Sequence, residues 1–352
     1  MDLAVPAFEI PSDRRASRPP ERRGGARDAV RLMSASSDHL EHLAFGEIGS
    51  ALDPGDLVVF NNSMTLPASV VVDEDLAIHF STRQPGGLMV VEPRRAVGHT
   101  SERLFSAPPQ RIELPGQAAL ELLVPFPIGS QAKRLWLASM TSPLALDDYL
   151  AVWGRPIRYS HVDGPYPLEL YQTVFGSFPG SAEMPSAGRP FTERTVTEMV
   201  RRGIRFAPVT LHTGVSSQES GEEPYPEWFQ VSAPTAALVN HTRARGGRVV
   251  AVGTTVVRAL ESAADASGSV YPAKGWTELV IGPDHEMSGV DGLVTGWHEP
   301  GSTHLAMLES LVGRPLVDAV YAAALESGYL WHEFGDSLLL LPDRRFGLGL
   351  VV

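Results

Sequence analysis

The sequence predicts an α/β protein with a small, nearly all-β unit set into its first half. Three observations predict it. From about residue 192 onward, short β-branched runs alternate with amphipathic helical stretches. Strands apolar on both faces and separated by helices belong to layered α/β folds. Between 67 and 143 the texture changes, and short apolar runs are broken by Pro, Gly and charge with little helical periodicity. Before that unit, L-D-P-G-D-L-V-V-F-N-N-S (52–63) already reads as a turn feeding a buried strand, Leu57 to Phe60. The β unit therefore looks like an insertion within something larger.

The elements follow in order. Residues 13–31, D-R-R-A-S-R-P-P-E-R-R-G-G-A-R-D-A-V-R, carry seven arginines around Pro-Pro and Gly-Gly. They read as a solvated loop or as an anion-binding arm, since arginine forks suit phosphate and carboxylate. In the inserted unit the runs V-V-V, L-M-V-V, L-E-L-L-V and L-W-L-A-S-M are short strands. Thr192 caps a helix with Val196, Met199 and Val200 on its apolar face, and Gly203 ends it. Strand F-A-P-V-T-L (206–211) follows. A helix from about Pro234 ends at Gly246, and R-V-V-A-V (248–252) is the next strand. Thr254–Ala264 is helix and E-L-V-I (278–281) strand. Ser302 opens a helix with Leu305, Leu308, Leu311 and Val312 inward. Pro315–Ser327 is helix, Gly328 its stop, and S-L-L-L-L (337–341) the final strand.

Composition bounds function. The chain has 352 residues, 43% hydrophobic and 20% charged, enough to bury a large core. Its formal net charge is -12 and its pI about 5.4, the opposite of a typical nucleic-acid binder, although a local basic patch can act inside an acidic total. With no cysteine there is no disulfide, thiolate metal site or Cys nucleophile. That fits a cytosolic protein. No signal peptide or membrane-spanning run is expected.

Five stretches carry polar groups that suit chemistry. W-H-E-P-G-S-T-H (297–304) lacks the H-E-x-x-H spacing that puts two histidines on one helix face, and Pro300-Gly301 breaks any helix there. His298 then lies on the loop entering a helix, where strand ends meet helix starts. His304 lies in the first turns of that helix and reads as a helix-surface or half-buried histidine. R-V-V-A-V-G-T-T-V-V-R-A-L-E-S (248–262) takes a strand through Gly253, Thr254 and Thr255 into a helix. Such a start forms a polar-ligand cradle or simply a cap. V-T-L-H-T-G (209–214) puts His212 at a strand end, as a base, a donor or a structural histidine. E-F-G-D-S (333–337) offers Asp336 before the last strand. Y-Q-T-V-F-G (171–176) sets polar groups among aromatics.

Together these blocks resemble the S-adenosylmethionine:tRNA ribosyltransferase-isomerase family of queuosine biosynthesis. The resemblance runs from R-D-A-V-R-L (27–32) through Y-Q-T-V-F (171–175), V-T-L-H-T-G and E-W-F-Q-V (227–231). It continues through the 246–262 block, V-D-G-L-V-T-G-W-H-E-P-G-S-T (290–303) and G-Y-L-W-H-E-F-G-D (328–336). It implies a mixed-sheet, barrel-like α/β domain (1–66 and 144–352) interrupted by a small inserted β-barrel domain (67–143). It also implies a reaction, in which the ribosyl part of S-adenosylmethionine moves to a deazaguanine base in tRNA and rearranges while adenine and methionine leave. That chemistry needs a base and an acid, for which His212, His298 and Asp336 are the expected groups. Gly253, Thr254 and Thr255, with Arg258 one turn on, are expected to hold the donor's carboxylate or ribose hydroxyls. Tyr171, Gln172, Thr173, Asp291, Gly292, Ser302 and Thr303 are expected around the same cofactor. No metal is expected, and a monomer in the cytoplasm is the expected state.

The chain departs from the family pattern. N-N-S-M-T-L-P-A-S (61–69) has Met64 and Ser69 where the family carries arginines. P-S-A-G-R-P-F-T (185–192) has Arg189 and Pro190 in place of Leu and His. V-S-S-Q (215–218) and P-Y-P (224–226) also differ. Arginines supply much of phosphate recognition. Their loss suggests a retained donor cleft with a different acceptor, a small molecule in place of tRNA. Two further readings stand beside it: a non-catalytic nucleoside-binding descendant, and a metal hydrolase built on His298, His304 and His332.

Overall fold

The computed structural model describes residues 8–128, 134–215 and 224–342. The altered V-S-S-Q stretch lies outside them apart from Val215. Two sheets organise the chain. The larger has nine strands in the order 273–277, 227–231, 205–211, 57–61, 249–252, 292–296, 337–340, 31–35 and 40–44. The four central strands, 205–211, 57–61, 249–252 and 292–296, are parallel. Strand 337–340 runs against 292–296 and alongside 31–35, and the outer strands 40–44, 227–231 and 273–277 pair antiparallel.

The unbroken apolar runs are explained by burial on both faces. Leu57, Val59, Val249, Ala251 and Leu293 point to one core, with Val239, Leu260, Leu305, Leu308 and Tyr321 of the helices packed on them. The intervening Val58, Val250, Val252 and Val294 point to the other, against Phe45, Ile48, Phe191 and Met199. Side chains alternate along a strand, so only a two-sided core asks for apolar residues at every position.

The second sheet is antiparallel and curls into a half-barrel. Its strands are 69–71, 76–83, 89–97, 135–141, 118–126 and 111–114 in spatial order, with 100–103 paired to 89–97. Register shifts between Phe80 and Arg83 and between Leu122 and Val124 add the bends that curl it. Val70, Ile78, Val91, Leu120 and Leu122 fill it, and helix Leu146–Trp153 packs Tyr149 and Leu150 against them. One expectation fails: E-L-V-I (278–281) is not a strand. The outer strand is Ala273–Thr277, and the chain then leaves the sheet, because the Leu279 carbonyl accepts from Arg258 and Ile281 turns into the core.

Candidate active site

All four parallel strands end on one edge of the large sheet. Asn61-Asn62-Ser63, His212, Gly253-Thr254-Thr255 and Trp297-His298 follow those ends, and Asp336 precedes the antiparallel strand that starts there. Open α/β sheets bind ligands along such an edge.

His212 sits in a polar knot. The Asn61 side chain staples the strand end, donating to the Leu211 carbonyl at 2.8 Å and accepting the Leu211 N–H at 3.0 Å. Ser63 Oγ then lies 2.8 Å from His212 Nδ1 and 2.7 Å from Ser181 Oγ. The imidazole stacks on Trp228 with centroids 5.2 Å apart. Its other side lies on Gly180, where a Cβ would fall 2.3 Å from Nδ1, so only glycine admits the ring. Burial, with the charge of Arg83, pushes the imidazole down to about 4, so it is neutral at pH 7.

His298 is fixed from three sides. Its Nε2 lies 2.8 Å from Thr295 Oγ1, its N–H donates to Tyr321 Oη at 3.1 Å, and its carbonyl accepts from Trp331 Nε1 at 3.3 Å. Its ring stacks on His304, centroids 4.6 Å apart, so His304 is half-buried beside it. Burial first, then the charges of His304 and His332, push His298 well below the usual histidine range. His304 is pushed down to about 4, by burial and then Arg258.

The other expected residues divide. Asp336 is at the edge, but its carboxylate accepts from the N–H groups of Arg31 and Leu330 (2.8 and 2.9 Å) and pairs with the Arg31 guanidinium at 3.2 Å. It ties three segments together, and the arrangement leaves it a structural anchor. Arg258 turns away from the helix start. Its buried guanidinium donates to Leu279, Thr277 and Tyr225 carbonyls at 3.1, 3.2 and 3.3 Å and pairs with Glu227. Glu227 in turn accepts Gly214 N–H at 2.8 Å, so this pair holds the loop after His212. Asp291 and Gly292 stand at the opposite end of the sheet. Asp291 accepts Val249 N–H at 2.9 Å and pairs with Arg243 at 3.2 Å. The five-residue strand 292–296 sets them roughly 15 Å from the edge, at about 3.3 Å per residue.

Gly253 gives its N–H to Val294, and Thr254 and Thr255 are half-buried at the helix start. Ser302 occupies the cap position before Thr303, yet its hydroxyl makes no cap bond and is buried without a partner. Gln172 pairs both ways with the Thr65 backbone, at 3.1 and 2.8 Å. Tyr171 Oη and Thr173 Oγ1 are buried without partners. Tyr171 and Gln172 line a cleft of 710 Å³ shared with Met64, Thr65, Tyr166 and Arg158.

A second group of ionisable residues combines Glu299, His332 and Glu333, from stretches the sequence marks, with His161, which it does not. His161 Nε2 lies 3.1 Å from Glu333 Oε2, and His332 Nε2 lies 3.0 Å from Glu299 Oε1. The two rings stack with centroids 4.0 Å apart. His332 holds a left-handed backbone (φ 75°), a strain of about 1 kcal/mol that the surroundings must fix. Its bond holds Glu299 below the usual carboxylate range. Tyr159 donates to Glu183 at 2.5 Å and stacks on His161. His161, His332 and Glu333 place ligand-type atoms within 4.8 Å of one another. The rings lie nearly parallel, so their lone pairs run side by side, and each histidine already faces a carboxylate. That geometry suits proton transfer better than metal ligation. These residues come from four distant segments, and no local pattern shows that they meet.

The chain matches the family described as queuosine biosynthesis protein over residues 5–340. It is 33% identical to the S-adenosylmethionine:tRNA ribosyltransferase-isomerase of Synechococcus sp. (strain CC9311), across 97% of this chain and 96% of that protein. The same enzyme of Moorella thermoacetica is 32% identical across 95% and 98%. A crystal structure of S-adenosylmethionine tRNA ribosyltransferase from Thermotoga maritima superposes with a TM-score of 0.52 at 27% identity, covering 95% of this chain and 99% of that one.

Proposed function

The chain belongs to the family of queuosine biosynthesis proteins, and from that premise we propose that it transfers and isomerises the ribosyl group of S-adenosylmethionine. The acceptor is a deazaguanine base in tRNA, and adenine and methionine leave. The observation that carries this reading is a match extending over nearly the whole chain and nearly the whole of its relatives.

The geometry supports a division of labour. Removing a ribose proton needs a neutral base, and His298 is neutral, oriented by Thr295 and set at the strand edge. Departure of adenine needs a proton donor. The His161–Glu333 and His332–Glu299 pairs are placed for that role, each imidazole lying against a carboxylate at 3.1 and 3.0 Å. Ser63 with His212 suits hydrogen bonding to ribose hydroxyls, and the orphaned hydroxyls of Tyr171, Thr173 and Ser302 suit the donor. No step draws on a metal. The site of action is the cytoplasm, and no helix among the described residues is long and apolar enough to cross a membrane.

The test is to incubate the purified chain with S-adenosylmethionine, with and without tRNA carrying the deazaguanine precursor, and to follow adenine and methionine by mass spectrometry. Release only with tRNA is expected. Release without tRNA would assign a different acceptor, and intact donor binding with no release would mark a non-catalytic descendant.

A further inference from the structure

The 710 Å³ cleft has an unusual wall. It is lined by prolines and by the rings of Tyr166 and Tyr171, and two arginines, Arg155 and Arg158, also face it. Among the described residues neither arginine has an ion-pair partner, although most arginines of the chain do. Arg158 Nε is buried with no hydrogen-bond partner at all. A buried guanidinium nitrogen left unpaired costs free energy, and an oxyanion would recover it.

The placement of Arg155 is enforced by the backbone. Arg155 and Ser69 exchange both N–H···O bonds, at 2.8 and 2.9 Å, where the chain re-enters the large unit after the half-barrel. Directly opposed residues of an antiparallel pair carry their side chains on the same face. Arg155 therefore stands beside Ser69. Next to it, a Cβ on Gly154 would lie 1.9 Å from the Pro67 carbonyl, so the two segments touch here through glycine. Met64 lines the same cleft.

We propose that Arg155 and Arg158 bind a backbone phosphate of the RNA acceptor, whose adjacent base lies against Tyr166 and the proline wall. This rests on the proposed tRNA reading. Arginine forks match phosphate oxygens, and aromatic faces hold unstacked bases, the combination used for single-stranded nucleotides. It also accounts for Met64 and Ser69: the cations expected at those positions are supplied by Arg155, which stands beside Ser69, and by Arg158 in the cleft that Met64 lines. Loss of arginine at 64 and 69 is then a relocation of charge and no argument for a small-molecule acceptor.

The experiment measures binding of precursor tRNA across salt concentration for the intact chain, Arg155→Gln, Arg158→Gln and the double variant, with S-adenosylmethionine affinity measured alongside. The double change, which frees one phosphate, is expected to flatten the slope of log K against log salt by about 0.7–0.9 and each single change by part of that, with tRNA binding several-fold weaker at ~0.1 M salt and donor affinity within twofold. Arg155→Lys should keep most of the slope, and Arg201→Gln, on a helix surface, should keep all of it. Unchanged slopes in folded variants would overturn the proposal. So would lost donor affinity with tRNA binding intact, which would reassign the arginines to the donor's carboxylate. If the intact chain binds the donor but no tRNA, the acceptor reading and this proposal fall together; if tRNA binds and only the slopes stay fixed, this proposal falls alone.

Discussion

The two ends of the large sheet are built from similar residues and left in opposite states. At the end where the parallel strands begin, the charged groups satisfy one another, and Thr242 Oγ1 is the buried polar atom left over. Buried Asp56 accepts the N–H groups of Asp53 and Arg248 and pairs with the Arg248 guanidinium at 2.6 Å. Asp291 and Arg243 close the next gap. At the end where the strands finish, His212, His298 and His304 are held neutral, and Tyr171, Thr173, Ser302 and Trp297 keep polar atoms buried without partners. Native proteins seldom leave buried polar atoms unmet. Where several gather at one strand edge, a ligand that completes them is the simplest explanation.

The contrast breaks most sharply by substitution at each end. His298→Asn should lower adenine release by about 10²–10⁴-fold, the usual worth of a positioned acid or base, with thermal unfolding nearly unchanged. At the other end, Asp56→Asn should remove about 3 kcal/mol of stability by unpairing a buried ion pair, while turnover per folded molecule stays level. Parallel measurement of melting and turnover separates the two. If His298→Asn kept full turnover, it would leave the mechanism, and the His161 and His332 pairs would inherit its role.

Acid should expose the same asymmetry. His212 and His304 are pushed from the ordinary value of 6.5 down to about 4. Above about pH 6.5 these rings are neutral folded or unfolded and contribute nothing. Between 6.5 and 4 the unfolded chain takes up protons that the folded rings refuse, so stability falls as pH falls. A His212→Asn, His304→Asn double variant should lose less melting temperature between pH 7 and 5 than the parent. Superimposable curves would mean that the rings are not buried as described.

Much of this is legible in sequence, for physical reasons. V-V-A-V and L-V-V-F read as two-sided strands because apolar residues at every position have few other uses, and the strand ends then place His212, Gly253 and His298 on one edge. E-L-V-I misleads because an apolar run also fits a core-facing coil. Arg258 misleads because one turn into a helix says nothing of the phase, and the phase aims it at Glu227. Asp336 does precede its strand, but its role as an anchor depends on Arg31, about 300 residues away. The grouping of His161, Glu299, His332 and Glu333 is invisible in sequence because no local pattern joins three segments that meet only in the folded chain.

The smallest effect on stability is the most discriminating. Removing a satisfied buried hydroxyl costs about 1 kcal/mol, whereas removing one with no partner is neutral or slightly stabilising. Tyr171 Oη has no partner, and burial, with the charge of Glu333, raises it above its usual range, so it remains a donor throughout the working pH. Tyr171→Phe should therefore leave the melting temperature unchanged or raise it by a degree or two. If the hydroxyl is kept unpaired in the free protein in order to meet the donor, the same change should raise the KM for S-adenosylmethionine several-fold. A drop in stability would show that the hydroxyl has a partner in solution. Unchanged stability with unchanged KM would show that an orphaned hydroxyl at this edge is tolerated without a ligand to justify it, and the contrast between the two ends of the sheet would then rest on the histidines alone.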